Sequence, residues 1–163
     1  MIFSAVFIGY SVGAAPVVGY HYGAQNSEEL KGLLKKSIVL VGIFAVCMFA
    51  SGQLLSAPLS RMFVGYDKEL FDMTVHAFAV FSFSFLFSGF AILGSSFFTA
   101  LGDGLVSALI SFLRTLVFQC LSVLIFPLFW QLDGIWFSIV AAEIMAVVVT
   151  VLFLFGKRKK YHY

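Results

Sequence analysis

Charged residues divide the chain into long apolar runs. Residues 1–24 carry no charge, nor do 37–60 or 73–102, while 104–132 is interrupted only by Arg114 and 134–156 only by Glu143. A helix rising about 1.5 Å per residue crosses a hydrocarbon core of about 30 Å in about 20 residues, so each run is long enough to span. Strands of a membrane barrel would be shorter and would alternate apolar with polar positions. Helix also satisfies its own backbone hydrogen bonds where no water can. The pattern therefore predicts an all-α integral membrane fold of about five transmembrane helices, over about 1–24, 37–60, 73–101, 104–131 and 134–156.

The polar connections refine this picture. Leu-Gly-Asp-Gly at 101–104 and Leu-Asp-Gly at 132–134 are tight turns in which glycine accepts a positive φ, so the last three helices should pack as consecutive antiparallel neighbours. The longer connection, 61–72, would put Met62, Phe63, Tyr66 and Leu70 on one face if helical. A loop lying on the membrane surface is the plainer reading.

Composition makes lipid the necessary solvent. Hydrophobic residues are 61% of 163 and charged residues 11%, with a mean hydropathy of +1.04; soluble domains average about 45–50% and about 25%. A chain this short has no interior able to bury so much apolar surface. The formal net charge of +2 matters less than its placement, and nothing in it points to a nucleic-acid partner. Connection 25–36 holds Lys31, Lys35 and Lys36, and the tail holds Lys157, Arg158, Lys159 and Lys160, against Arg61 and Lys68 on the opposite side. The excess of basic residues predicts a multi-pass protein with its C-terminus in the cytoplasm and Met1 outside; the plasma membrane is the expected location. Tyr20, Tyr22, Tyr66, Trp130, Trp136 and Tyr161 fall near run ends, as an interfacial aromatic belt would. No basic residue precedes the first run, so it reads as a retained span, not a signal peptide.

Little in the sequence suggests an enzyme. There is no Ser/His/Asp set, no HExxH and no phosphate-binding glycine loop. Cys47 and Cys120 lack metal-ligand spacing and read as small core residues, so no metal and no cofactor is expected.

Three features invite a functional reading. The first helix contains Gly9, Gly13, Gly19 and Gly23 in two pairs four apart, which would let another backbone approach, with Pro16 between them as a hinge or a plain kink. His21, flanked by Tyr20 and Tyr22, suits an interfacial hydrogen bond better than a proton relay. The third helix carries Ser84, Ser88, Ala91, Ser95 and Thr99 on one face, which either packs against a neighbour or lines a wet cavity.

The sharpest feature is the pair of charges inside spans. Arg114 lies ten residues after Gly104 and Glu143 nine residues after Gly134, so each sits about 14–15 Å into the membrane from opposite sides. Adjacent antiparallel helices would bring these depths together, and an ion pair is geometrically possible. Charges at that depth cost several kcal/mol unless partnered or wetted, which makes both residues functional candidates by default. Either Glu143 binds a cation or proton while Arg114 tunes it or meets substrate, or the two form a permanent bridge that fixes helix register. Arg114 shares a polar stripe with Ser107, Ser111 and Ser122.

Several motifs, in order, resemble the multidrug and toxic compound extrusion (MATE) family. Residues 16–26 (PVVGYHYGAQN) with the basic stretch 30–36 resemble its eighth helix and the following loop. Arg61-Met62-Phe63 with Asp67 resembles the loop after the ninth, and residues 98–104 (FTALGDG) the end of the tenth. Ser111, Arg114 and Pro127 resemble the eleventh, and residues 132–136 (LDGIW) through Glu143 the twelfth.

The resemblance covers essentially the whole chain. It implies part of an antiporter that exports organic cations or other amphiphiles against sodium or protons, with small-molecule substrate held in a cleft between two six-helix lobes. It also implies that this chain is most of the C-terminal lobe, as from an incomplete reading frame, that its partner is the missing N-terminal lobe, and that alone it is inactive. Pro16, Gly19, Tyr20, His21, Gly23, Ser88 and Ser95 become cleft or hinge candidates beside Glu143 and Arg114. The third helix has no carboxylate where some sodium-coupled members carry one, which leaves the coupling ion open. A lipid-linked oligosaccharide flippase of the same superfamily, a vitamin-uptake binding subunit and a non-transporting membrane scaffold remain as alternatives.

Overall fold

The computed structural model describes residues 2–163, with side chains from Ser4 onward, and these residues are helical almost throughout. Met1, expected outside the membrane, lies outside the described residues. The elements are α1 (Ile2–Gly23), α2 (Ser27–Val64), α3 (Lys68–Ser82), α4 (Phe85–Ala100), α5 (Gly104–Phe112), a π-helical segment (Leu113–Phe118) and α6 (Gln119–Tyr161).

α2 is longer at both ends than the uncharged run 37–60. Its start is set by Asn26, whose side chain accepts from the Glu29 N–H at 3.2 Å, and Glu28 and Glu29 suit the positive end of the helix dipole. At 38 residues α2 is about 57 Å long, so its first turns stand clear of the hydrocarbon core and carry Lys31, Lys35 and Lys36. The connection expected over 25–36 thus shrinks to a turn at 24–26. At the far end α2 runs through Pro58 to Val64. Asp67 then starts α3 by accepting from the N–H groups of Glu69 and Leu70, so the surface loop expected over 61–72 is helical on both sides of 65–67.

The third stroke is bent. α3 and α4 meet at 41° across Phe83 and Ser84, where Phe83, Ser84, Leu86 and Phe87 each donate to the carbonyl three residues back. That tighter 3₁₀ pattern turns the axis without a proline. Ser82 contributes by donating to Phe78 O at 2.7 Å, a back-bond that bends helices. α2 fits against the bend because Gly52 has no side chain; a Cβ there would collide with Ser82 Oγ.

The last two strokes form a hairpin with almost no loop. Helical hydrogen bonding persists through α6 except at Gln131, whose φ of 49° and ψ of −125° reverse the chain. Gly134 makes the reversal possible, since any Cβ would strike the Phe126 carbonyl and the Pro127 backbone. Residues 119–130 and 132–161 are therefore antiparallel arms, and the turn lies at Gln131, ahead of the expected Leu-Asp-Gly.

α4 is the central helix and packs against α1, α2, α5 and α6. Its glycines admit the neighbours: a Cβ on Gly89 would meet the Phe7 ring at 2.6 Å, and one on Gly94 would collide with the Thr150 methyl. Of the α1 glycines, Gly19 alone lies against another backbone. Gly9, Gly13 and Gly23 have nothing near a notional Cβ, and Gly19 meets only Ala100 O at 3.4 Å. Cys47 and Cys120 also depart from expectation, being exposed and not in the core; a bundle in lipid sends apolar residues outward as readily as inward.

α2 and the run 104–161 are each long and apolar enough to cross a bilayer, and the bent pair α3 and α4 qualifies as one broken span. With α1 uncharged over 22 residues and 104–161 doubled back, the chain is a five-stroke α-helical membrane fold.

Candidate functional site

Arg114 and Glu143 meet. Arg114 Nε donates to both carboxylate oxygens, at 2.9 and 3.2 Å, and Nη2 donates to Oε1 at 2.8 Å. This fork-on-carboxylate geometry is the strongest form of charged hydrogen bond available to side chains. Both side chains are mostly but not wholly enclosed, 24% and 15% exposed. Spacings of ten residues from Gly104 and nine from Gly134 bring them to similar depths from opposite sides, and the hairpin at Gln131 makes their helices adjacent.

The π-helical segment places Arg114 locally. Each π turn holds an extra residue, which shifts the helical phase of everything after it and leaves wider hydrogen-bond spacing; such segments concentrate at functional sites. Arg114 is the second residue of this one, and its partner arm, 132–161, is regular helix.

A second polar arrangement joins α4 to α5. Ser95 Oγ lies 2.9 Å from Ser107 Oγ and 2.8 Å from Ser111 Oγ, and Thr99 Oγ1 lies 2.7 Å from Ser107 Oγ. Four hydroxyls thus run from near the 101–104 turn to one turn before Arg114. Ser95 belongs to this packing contact. Ser88 is buried with its hydroxyl unpartnered among the described residues, as are Ser11, Ser60 and Ser122.

The α1 candidates lie elsewhere. Pro16 is exposed in an unbroken helix, Gly19 sits against the end of α4, and Tyr20 is 73% exposed with its ring edge-on to His21 at 5.4 Å. His21 and Gly23 line a cavity of about 540 Å³ with Tyr22, Lys160 and Tyr161. The structure therefore gathers the charged pair on the hairpin and leaves the α1 residues on another face.

The sequence reading missed a lock at the tail end of the bundle. Tyr161 donates to Asp103 Oδ2 at 2.5 Å, and Lys157 and Lys160 stand 3.9 Å from the same oxygen. Asp103 also caps α5 through the Val106 N–H. The Tyr161 hydrogen bond, aided by that N–H and the two lysines, holds the Asp103 carboxyl below its usual 3.8 against the opposing effect of burial. Burial and the Asp103 contact push the Tyr161 phenol up, and burial pushes that of Tyr163 up to about 12. Tyr161 was expected in the aromatic belt but is buried, 6% exposed. The one available signal was a lone carboxylate in a turn on the lysine-rich face.

Comparison with known proteins bears on this geometry. The sequence model of the MatE family matches residues 1–125. The chain belongs to the MatE family. No curated protein sequence matches it, but solved MATE structures share its fold. An outward-facing multidrug resistance MATE family transporter of the MOP superfamily superposes with a TM-score of 0.87 over 95% of this chain, at 22% identity. A MATE in complex with MaL6 gives 0.86 over 95%, also at 22%. The chain spans 35% of the length of each of these transporters. Asp103 and the 101–104 turn fall inside the matched region, as does Arg114, while Glu143 lies beyond it.

Proposed function

We propose that this chain forms most of the C-terminal lobe of a cation-coupled MATE antiporter, in which the Arg114–Glu143 pair is the coupling element for inward sodium or proton flow and organic cations or amphiphiles are exported. The observation that carries the reading is a bidentate ion pair midway along a membrane hairpin, with its arginine in a π-helical segment. A carboxylate there can exchange its arginine for a proton or a sodium ion, and the arginine is then free for another partner. The excess of lysine at the end holding 24–26, 101–104 and the tail supports a cytoplasmic C-terminus in the plasma membrane.

The reading requires a second lobe, and the open face of α1, where Val12 is 65% exposed and Gly13 has no neighbour, supports one packing there. Cells expressing only these residues should show no drug efflux, and efflux from them would overturn the requirement. With the complementary lobe supplied, Glu143→Gln should abolish the pH or sodium dependence of transport in vesicles. Unchanged dependence would assign the pair to holding helix register.

A further inference from the structure

A furrow between α2 and α6 combines an apolar trough with a cationic mouth. α2 faces it with Lys31, Leu34, Lys35, Ile38 and Val39, and α6 with Val151, Leu154, Phe155 and Arg158. These are i, i+3, i+4, i+7 stripes, one face of each helix. Both stripes are ordered alike: basic residues at the end of the bundle that holds the tail, apolar residues deeper in the membrane. The volume is about 400 Å³.

The floor and walls differ in burial. Leu34 and Leu154 are half-buried and pack on the core around Phe97 and Phe98, whereas Val39, Val151 and Phe155 are 56%, 40% and 70% exposed. From Arg158 to Val151 the trough runs about 10 Å along the helix. Arg158 is fixed at its mouth, since its Nε donates to Tyr163 O at 3.1 Å, and Tyr163 is itself held by donating to Leu154 O at 3.0 Å.

The mouth is electrically unbalanced. Among the described residues neither Lys31 nor Lys35 forms an ion pair with a carboxylate. A contiguous cavity of about 490 Å³ adds Lys159 to Lys31 and Arg158. Glu28 and Glu29, in the first turn of α2, line neither cavity. Basic clusters where helices meet the membrane surface bind anionic headgroups, and a trough leading from them into the bilayer accepts the attached chain.

We propose that this furrow is a binding site for an anionic phospholipid, with the phosphate held by Lys31, Lys35 and Arg158 and one acyl chain lying along Val39, Val151 and Phe155. Charge selects the occupant, because a zwitterionic headgroup brings its own cation to a basic mouth and a neutral detergent brings no anion. The site explains why basic residues from two helices far apart in sequence converge, which topology alone does not require.

The test is lipid binding to the purified chain in neutral detergent, by native mass spectrometry and by thermal shift. Short-chain phosphatidylglycerol should bind at one site and raise the unfolding temperature, while phosphatidylcholine of equal chain length should not. Lys31→Gln/Lys35→Gln/Arg158→Gln should weaken that binding about 100-fold, from the contribution of each basic residue at a membrane surface. Arg61→Gln/Lys68→Gln, which removes charge at the other end, should leave it unchanged. Val151→Trp fills the trough without touching the charges and should also lose the lipid, so the outcome does not rest on the triple variant folding. Equal binding of phosphatidylcholine would overturn the proposal. So would glycerophosphoglycerol binding as tightly as the lipid, which would mean a free-anion site, or dimers forming through the furrow without lipid.

Discussion

At the scale of single residues, two carboxylates carry opposite kinds of meaning. Asp103 is structural: it caps α5, accepts from Tyr161 and faces two lysines. Because its folded pKa lies below the usual 3.8, its stabilising effect is complete above about pH 4 and is lost as pH falls through the folded value. Unfolding followed by temperature in detergent should therefore show wild type losing stability as pH falls below about 4. Asp103→Asn keeps the helix cap but should start lower at pH 7 and show a flatter decline. Tyr161→Phe should cost about 1–2 kcal/mol at pH 7, and an unchanged pH profile in either variant would remove the lock.

Glu143 is the other kind under the proposed function. Its removal strands Arg114 between helices, so Glu143→Ala should cost about 3–5 kcal/mol, whereas Arg114→Ala/Glu143→Ala should recover part of that loss. A double-mutant cycle on unfolding free energy reads the coupling directly, and additive losses would show that the two charges act independently.

At the scale of elements, the division into five strokes was legible because charge is excluded from the hydrocarbon core, and the residue pair was legible because two charges stood at similar distances from two turns. The lengths were not. Lys31, Lys35 and Lys36 read as a loop by charge alone, yet α2 continues through them, because a helix leaving the core keeps its hydrogen bonds while its lysines reach water. The Asn26 cap with Glu29 three residues on was the readable sign of the true start.

The 3₁₀ bend at 83–84 and the π-helical segment had no local sign. The bend combines the Ser82 back-bond with the space that Gly52 of α2 leaves beside it. The hydroxyl contacts of Ser95 with Ser107 and Ser111 were half legible, since the two stripes are related by the 101–104 turn.

Glycine spacing was the weakest guide. On α1, Gly9, Gly13 and Gly23 are open and Gly19 alone reaches another backbone, whereas a Cβ on Gly134, read only as a turn residue, would strike backbone. Gly134→Ala should therefore cost about 1–3 kcal/mol, because the Phe126 carbonyl it would strike cannot move aside as a side chain could. Gly9→Ala in the same chain should be neutral or stabilising by up to about 1 kcal/mol, from helix propensity alone. Equal losses from the two, measured by unfolding in detergent, would contradict the hairpin geometry.

For the molecule as a whole, the uneven distribution of close contacts becomes informative. α4 is surrounded, with Phe98 and Ala91 fully buried, while α1 presents Ile8, Val12, Val17 and Tyr20 outward around Gly9, Gly13 and Pro16. Lipid can cover such a face, but lipid gains nothing from glycine, whereas a second helix gains close approach. If the proposed N-terminal lobe packs on this face, a bulky residue at Gly13 should act only on assembly. Gly13→Leu should leave the unfolding temperature of the isolated chain unchanged or raised. The same substitution should reduce capture of a co-expressed complementary lobe by more than tenfold, since lost backbone contact in a membrane has no hydrophobic effect to replace it. Capture at wild-type level would place the lobe contact on another face of the bundle and leave α1 to lipid.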